Sequence, residues 1–439
     1  MKKQHLLCAC FCLLPAPAPA QRPASASSCE ALANLRISGV ASTVAKAQWI
    51  EAGDAPATPG VPSGIRLPAY CRLDGVIDRR TGALGVTYGI GFALAMPENW
   101  NGRFLFQGGG GLNGSVQMPL GASAAGSELG LARGFAVAST DTGHQGQGAF
   151  DARFREDQQA SLDFAAVGRV TEFAKRIIAE YYGKPAGHSY FAGCSTGGRE
   201  AMLMTERYPS YFDGVVAGAP AMRTNFSGIG DRWVAATLNE VAPKDEKGVP
   251  NTREALAESQ KKAVIDGLLR DCDAADGLKD GMVFNLQACR FDPKTLVCSG
   301  AKRDGCLSAA QAAALEKAFA GPKDSKGRQV YPGFPFDTGI VATLGIPGLL
   351  YGGRNPVGPA FSDIGMDVDS AVERATADPA AAISETWSWT NLNTFSGHGG
   401  KLIFWHGLSD PWFSPLDTVN YYDRMTKAKI GRASCRERV

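Results

Sequence analysis

Gly193-Cys194-Ser195-Thr196-Gly197 places a hydroxyl among small residues in the G-x-S-x-G spacing of a nucleophilic serine. Such a serine sits on a sharp strand-to-helix turn with strained backbone angles, so its neighbours two positions away must be small. The turn lifts Oγ above the sheet, and the following helix aims backbone N–H groups at a developing oxyanion. Ser189–Ala192 reads as the strand before the turn and Gly198–Tyr208 as the helix after it. No G-x-G-x-x-G or G-K-[ST] follows, which argues against a nucleotide-binding turn. A second glycine run, Gln107-Gly108-Gly109-Gly110-Gly111, directly follows the strand pattern Arg103–Phe106. Glycine there lets the backbone approach a substrate closely, and the N–H groups of Gly109 and Thr196 are the expected oxyanion donors.

On a sheet of this kind the catalytic order along the chain is serine, acid, histidine. Asp410, in Trp405-His406-Gly407-Leu408-Ser409-Asp410-Pro411, follows the buried-strand pattern Lys401–Trp405, where the acid belongs. No histidine follows it. The five histidines are His5, His144, His188, His398 and His406. His188 precedes the elbow strand at its far end, His406 reads as packing or hydrogen-bonding at the base of the acid loop, and His144 ends a strand near the cleft. The expectation is that the base was lost with the C-terminus, leaving the chain nearly inactive.

The elements that must hold these residues alternate between strand and helix. Val86–Ala95, Phe135–Ser139 and Gly214–Ala217 read as further strands, and Asp163–Tyr182 as a helix with Phe164, Val167, Val170, Phe173 and Ile177 near one face. Alternation predicts a parallel sheet covered on both faces. The implied class is α/β: an α/β-hydrolase fold with an inserted, mainly helical lid. The hydrolase domain would occupy residues 21–220 and 396–430 and the lid 221–395. Residues 21–65 read as an irregular arm. In the lid, Glu254–Arg270 and Ser308–Ala320 read as helices, the second opened by a Ser308/Gln311 capping box.

The chain has 439 residues and a net charge of +2, too little field to gather phosphates, so nucleic acid is not an expected partner. Lys2 and Lys3, an apolar run from Leu6 to Leu14, and Ala18-Pro19-Ala20 read as an export signal over residues 1–20. No other segment approaches the roughly 18 apolar residues of a spanning helix, so no membrane is expected for the mature form, which would be secreted or periplasmic. Of 11 cysteines, Cys8, Cys10 and Cys12 fall in the leader. Export implies a compartment where disulfides persist. Cys272 and Cys289 lie close together, as do Cys298 and Cys306, and Cys29 with Cys71 would tie down the arm, but spacing does not fix connectivity. Residues 431–439 lack an apolar period and read as a foreign tail on a truncated frame.

These residues closely resemble the tannase/feruloyl esterase family of secreted serine esterases, which includes a terephthalate-monoester hydrolase branch. The resemblance covers roughly residues 29 to 425. Cys194-Ser195 and Asp410 match the family's CS…D…HC arrangement, and its HC element is missing; Cys435, after Ala433-Ser434, is not that cysteine. Gly109 and Thr196 fall where the family places its oxyanion donors. The resemblance implies the pairs Cys29–Cys71, Cys272–Cys289 and Cys298–Cys306.

Asp273-Ala274-Ala275-Asp276-Gly277-Leu278-Lys279-Asp280-Gly281-Met282 gathers three carboxylates around two glycines. From spacing alone this is a cation loop or a solvated acidic turn; it is not an EF-hand, since Ala275 occupies a ligand position. The resemblance implies a structural Ca²⁺ bracing the lid, held by Asp273, Asp276 and Asp280 side chains and the carbonyls of Leu278 and Met282. It also implies small esters of aromatic acids as substrates. Trp387, Trp389, Trp412 and Phe413 are candidates to line an aromatic acyl pocket. A monoester's free carboxylate would further require an arginine, and Arg354 and Arg374 lie in the lid. Two rivals stand beside the esterase: a secreted peptidase on the same fold, and a catalytically dead polyphenol- or carbohydrate-binding protein.

Overall fold

The computed structural model describes residues 21–57, 61–82, 85–121, 128–146, 163–300, 304–352 and 361–428. The leader, Arg354, Cys435 and the 431–439 tail lie outside the described residues. Eight strands form one sheet: β1 (Ser42–Ile50), β2 (Tyr70–Thr81), β3 (Thr87–Pro97), β4 (Arg103–Gln107), β5 (Ala136–Thr140), β6 (His188–Cys194), β7 (Gly214–Gly218) and β8 (Lys401–Trp405). Their order across the sheet is β1-β2-β3-β5-β4-β6-β7-β8.

The expectation of a parallel sheet holds for part of it. β5, β4, β6, β7 and β8 pair in parallel, but β1, β2 and β3 are antiparallel to one another and β3 is antiparallel to β5. A tight connection joins β2 to β3, whereas parallel neighbours need a crossover. The arm is also more regular than expected. Its helix α1 (Ala26–Ala31) carries Cys29, and β1 pairs with β2 along nearly its whole length. β1 was illegible because it is an edge strand rich in Ala, Ser and Lys, with no clean apolar alternation.

Parallel register brings the chemistry together. Gln107 lies level with Ala192, Cys194 with Gly218, and Gly218 with Trp405. The carboxyl ends of β4, β6, β7 and β8 therefore share one edge, where the glycine loop, the elbow and the acid loop all emerge. Helix α2 (Asp163–Tyr182) covers one face, burying Val167, Val170, Phe173 and Ile177, with Phe173 edge-on to Phe92 at 5.2 Å. Each such fully buried side chain contributes about 1.5–3 kcal/mol. Helix α3 (Thr196–Arg207) runs back from the elbow and is buried along nearly its whole length.

A second apolar cluster forms in the inserted region, where α4 (Thr224–Asn239), α5 (Glu258–Cys272) and α6 (Ala309–Ala320) enclose Val234, Leu238, Val264, Leu315, Phe319 and Tyr331. The Ser308/Gln311 capping box forms as read. Further helices are α7 (Val368–Ala377), α8 (Pro379–Ser384) and α9 (Asn393–Gly397). Leu392 and Phe395 pack into the main core, not the second cluster. All three implied disulfides are present: Cys29–Cys71, Cys272–Cys289 and Cys298–Cys306.

Candidate active site

Ser195 sits between β6 and α3 at φ 62 and ψ −117. A non-glycine residue there is strained, at a cost of about 1–3 kcal/mol. The surroundings hold it in place. Its N–H donates to Gly218 O at 3.0 Å, and its carbonyl accepts from Arg199 and Ala221, each at 3.1 Å. The flanking glycines are sterically required: a Cβ on Gly193 would lie 2.4 Å from Gly197 O, and one on Gly197 would lie 2.6 Å from Gly109 O.

Thr196 opens α3, so its N–H has no intrahelical acceptor. It is buried beside Ser195, and its hydroxyl accepts from Leu112 N at 2.9 Å. Gly109 behaves differently from the expectation. Its N–H donates to Glu200 Oε2 at 3.0 Å and is thereby occupied. The next N–H in the loop belongs to Gly110, which is exposed and has open space where a Cβ would be. Glu200, five residues past Ser195 and fully buried, and Asn113, which donates to it at 2.6 Å, escaped the sequence reading. The signal available was the acid placed one turn after the elbow, in Gly197-Gly198-Arg199-Glu200.

Asp410 is fixed by the backbone of its own loop. Its Oδ1 accepts from the Trp412 and Phe413 N–H groups at 2.9 and 3.0 Å, and its side chain is 18% exposed. Its charge reaches the elbow: burial first, then Asp410, push the Cys194 thiol up. Cys194 is the free cysteine among the described residues. His406 sits at the loop base as read, with Nδ1 on Thr418 Oγ1 at 2.8 Å, Nε2 on Phe413 O at 2.9 Å, and Nε2 3.3 Å from Asp410 Oδ2. Both ring nitrogens are committed there. His188 lies at the opposite end of β6, 3.7 Å from Asp213. His398 precedes β8, and His144 is buried against Gly114. Ser195 Oγ makes no hydrogen bond with any described residue.

Residues between β7 and β8 meet the segment after β8 through a polar seam. Ser409 donates to Asp337, Ser414 N–H donates to Tyr331 Oη at 3.0 Å, and Arg223 forms a buried two-pronged ion pair with Asp417. Asp231 of α4, also buried, is pushed well above the carboxylate range by burial and by Asp410's charge. Trp387 is not free to line a pocket: the guanidinium carbons of Arg223 and Arg424 lie over its ring, 3.9 and 3.7 Å from the centroid. Trp412 and Phe413 are half-buried beside Asp410, Trp389 is 57% exposed, and Arg374 is exposed on α7.

The loop from Asp273 to Met282 folds back on itself, with Asp280 and Gly281 N–H groups donating to Asp273 Oδ1 at 3.2 and 3.0 Å. Asp276 takes Leu278 and Phe284 N–H groups, and Asp280 takes that of Met282. Hard oxygen donors suit Ca²⁺. In this arrangement the carboxylates are turned onto backbone amides, and no three ligating side chains converge among the described residues.

A serine at positive φ between a parallel strand and its helix, flanked by sterically required glycines two positions away, forms the sharp elbow of an α/β-hydrolase fold. The comparisons agree. The profile of the family described as "Tannase and feruloyl esterase" matches residues 75–349. A mono(2-hydroxyethyl) terephthalate hydrolase from Piscinibacter sakaiensis is 34% identical, over 93% of this chain and 78% of its own. The crystal structure of feruloyl esterase B from Aspergillus oryzae superposes with a TM-score of 0.71 at 27% identity, covering 92% of this chain and 78% of its own. A tannin acyl hydrolase from Aspergillus niger shares the fold at 19% identity and a TM-score of 0.66, over 95% of this chain and 80% of its own. The chain belongs to the tannase and feruloyl esterase family, a family of carboxylic ester hydrolases.

Proposed function

We propose that this protein is an exported serine esterase acting on esters of aromatic carboxylic acids through an acyl-enzyme. The observation that carries the reading is Ser195, held at φ 62 on the shared strand edge with Asp410. Ser195 Oγ attacks the ester carbonyl and the alcohol leaves; water then releases the acid. Thr196 N–H and a glycine-loop N–H, at Gly110 rather than Gly109, receive the oxyanion. Asp410 orients the imidazole that takes the serine proton; His406 has both ring nitrogens engaged beside Asp410, and His188 lies at the far end of β6. Trp412 and Phe413 flank the acid and supply aromatic surface for the acyl group. The names of the relatives, a terephthalate monoester hydrolase and a feruloyl esterase, favour an aromatic acyl portion. Three disulfides and the leader pattern favour export.

Turnover of methyl ferulate and p-nitrophenyl esters tests this, run with and without added imidazole. The expected result is slow Ser195-dependent hydrolysis that imidazole accelerates. Fast Ser195-dependent hydrolysis without imidazole would place a base within these residues. Hydrolysis indifferent to Ser195→Ala would sink the nucleophile assignment, and peptide p-nitroanilides hydrolysed in preference would favour a peptidase. The Asp273–Met282 loop is proposed to gather its three carboxylates around Ca²⁺. Calcium should raise the Tm, and Asp276→Ala should abolish that rise; a Tm indifferent to calcium contradicts the site.

A further inference from the structure

We infer that Glu200 is the positioning residue of the oxyanion loop: one buried carboxylate, carried on the nucleophile's own helix, holds Gly109 and Asn113 in place. The inference rests on the reading of Ser195 as nucleophile. Its geometry stands independently of that reading. Glu200 is 0% exposed, and its two oxygens divide between the loop's two ends. Oε2 accepts Gly109 N–H at 3.0 Å, and Oε1 accepts Asn113 Nδ2 at 2.6 Å.

The loop needs such a hold. Gly111, Leu112, Asn113 and Gly114 run through four successive positive φ values of 59, 62, 57 and 83, two of them at non-glycine residues. Asparagine visits this region readily, but left-handed backbone at Leu112 persists only where surroundings over-determine it. Asn113 closes over the loop so tightly that a Cβ on Gly109 would lie 2.1 Å from Asn113 Oδ1. Holding the Gly109 N–H fixes the Gly108–Gly109 peptide plane, the Gly197 N–H on Gly109 O at 3.1 Å fixes the next one, and the Gly110 N–H is left as the open donor. Because Glu200 lies on the first turns of α3, loop and nucleophile are referenced to the same rigid element. A pre-set donor is what makes an oxyanion site effective, since nothing reorients during reaction.

Asn113 Oδ1 is buried with no partner among the described residues. A glutamine at 200 can therefore accept from Gly109 through its carbonyl and donate to Asn113 Oδ1 through its amide. Glu200→Ala can do neither. The experiment pairs amide hydrogen exchange with imidazole-assisted ester turnover on the full chain. Glu200→Ala should exchange at least tenfold faster across residues 107–114, with β2 and α2 unchanged. Its kcat should fall about 100-fold at a nearly constant KM. Glu200→Gln should stay within about fivefold of the wild type in both measurements. Asn113→Ala, which removes one bond from a half-buried loop residue, should fall between them and covers the case in which Glu200→Ala does not fold. Unchanged exchange in both alanine variants, or a glutamine variant as impaired as the alanine one, would overturn the inference. If wild-type turnover proves independent of Ser195, the nucleophile reading fails and the exchange data still decide the clamp.

Discussion

Replacing Ser195 by glycine should make the protein more stable than replacing it by alanine, the reverse of the usual order. Alanine is ordinarily favoured over glycine by about 0.5–1 kcal/mol, because glycine loses more backbone freedom on folding. At φ 62 and ψ −117, however, any Cβ sits in strained backbone. That strain costs about 1–3 kcal/mol and is relieved only by glycine. The difference leaves Ser195→Gly more stable than Ser195→Ala by about 1–2 kcal/mol. Both variants lose the hydroxyl, so its interactions cancel in the comparison. At about 2.1 cal/mol/K per residue, unfolding entropy for 439 residues is roughly 0.9 kcal/mol/K, so Tm moves only about 1–2 °C. Urea denaturation is the sharper assay, with the glycine midpoint higher at an unchanged m value. An alanine variant equal to or more stable than the glycine variant would refute the claim that the elbow stores strain.

Asp141, buried at the end of β5, accepts from the Gly91 and Gly143 N–H groups and from Gln145, yet burial pushes it up to about 6. Its folded value lies above the unfolded one near 4, so the native state holds the proton more tightly. Stability from this group is gained as pH falls from about 6 to 4 and is lost, by about 3 kcal/mol, as pH rises through that window. Wild-type stability measured against Asp141→Asn should show that slope, and a pH-independent difference would contradict it. Asp417→Asn leaves Arg223 buried without its ion-pair partner and should cost about 3–5 kcal/mol in urea denaturation, whereas the double variant Arg223→Met/Asp417→Leu should cost much less. Equal losses in the two would show that the guanidinium is satisfied elsewhere.

The parts of this fold legible in the sequence were those with short-range causes. The elbow's small residues, the apolar runs of β4, β6, β7 and β8, the face of α2 and the Ser308 cap are each written within a few neighbouring residues. The disulfides came from family resemblance, since spacing leaves connectivity open. What escaped depended on distant partners. β1 is a strand because β2 lies beside it. Glu200 reads as one more helical acid until the glycine loop, 91 residues away in sequence, is laid against it. Trp387 reads as a pocket wall until Arg223 and Arg424 are laid against its ring. Which glycine-loop N–H stays open depends on the Glu200 side chain, which no local pattern locates.

The central claim is that Ser195 is the nucleophile of an acyl-transfer site. Labelling the purified chain with an aryl fluorophosphonate in the presence of imidazole, followed by peptide mapping, tests it most directly. The account predicts a single adduct on Ser195, formed faster with imidazole and slowed by Asp410→Asn. An adduct on another residue, or none on Ser195 in a folded protein, would contradict it.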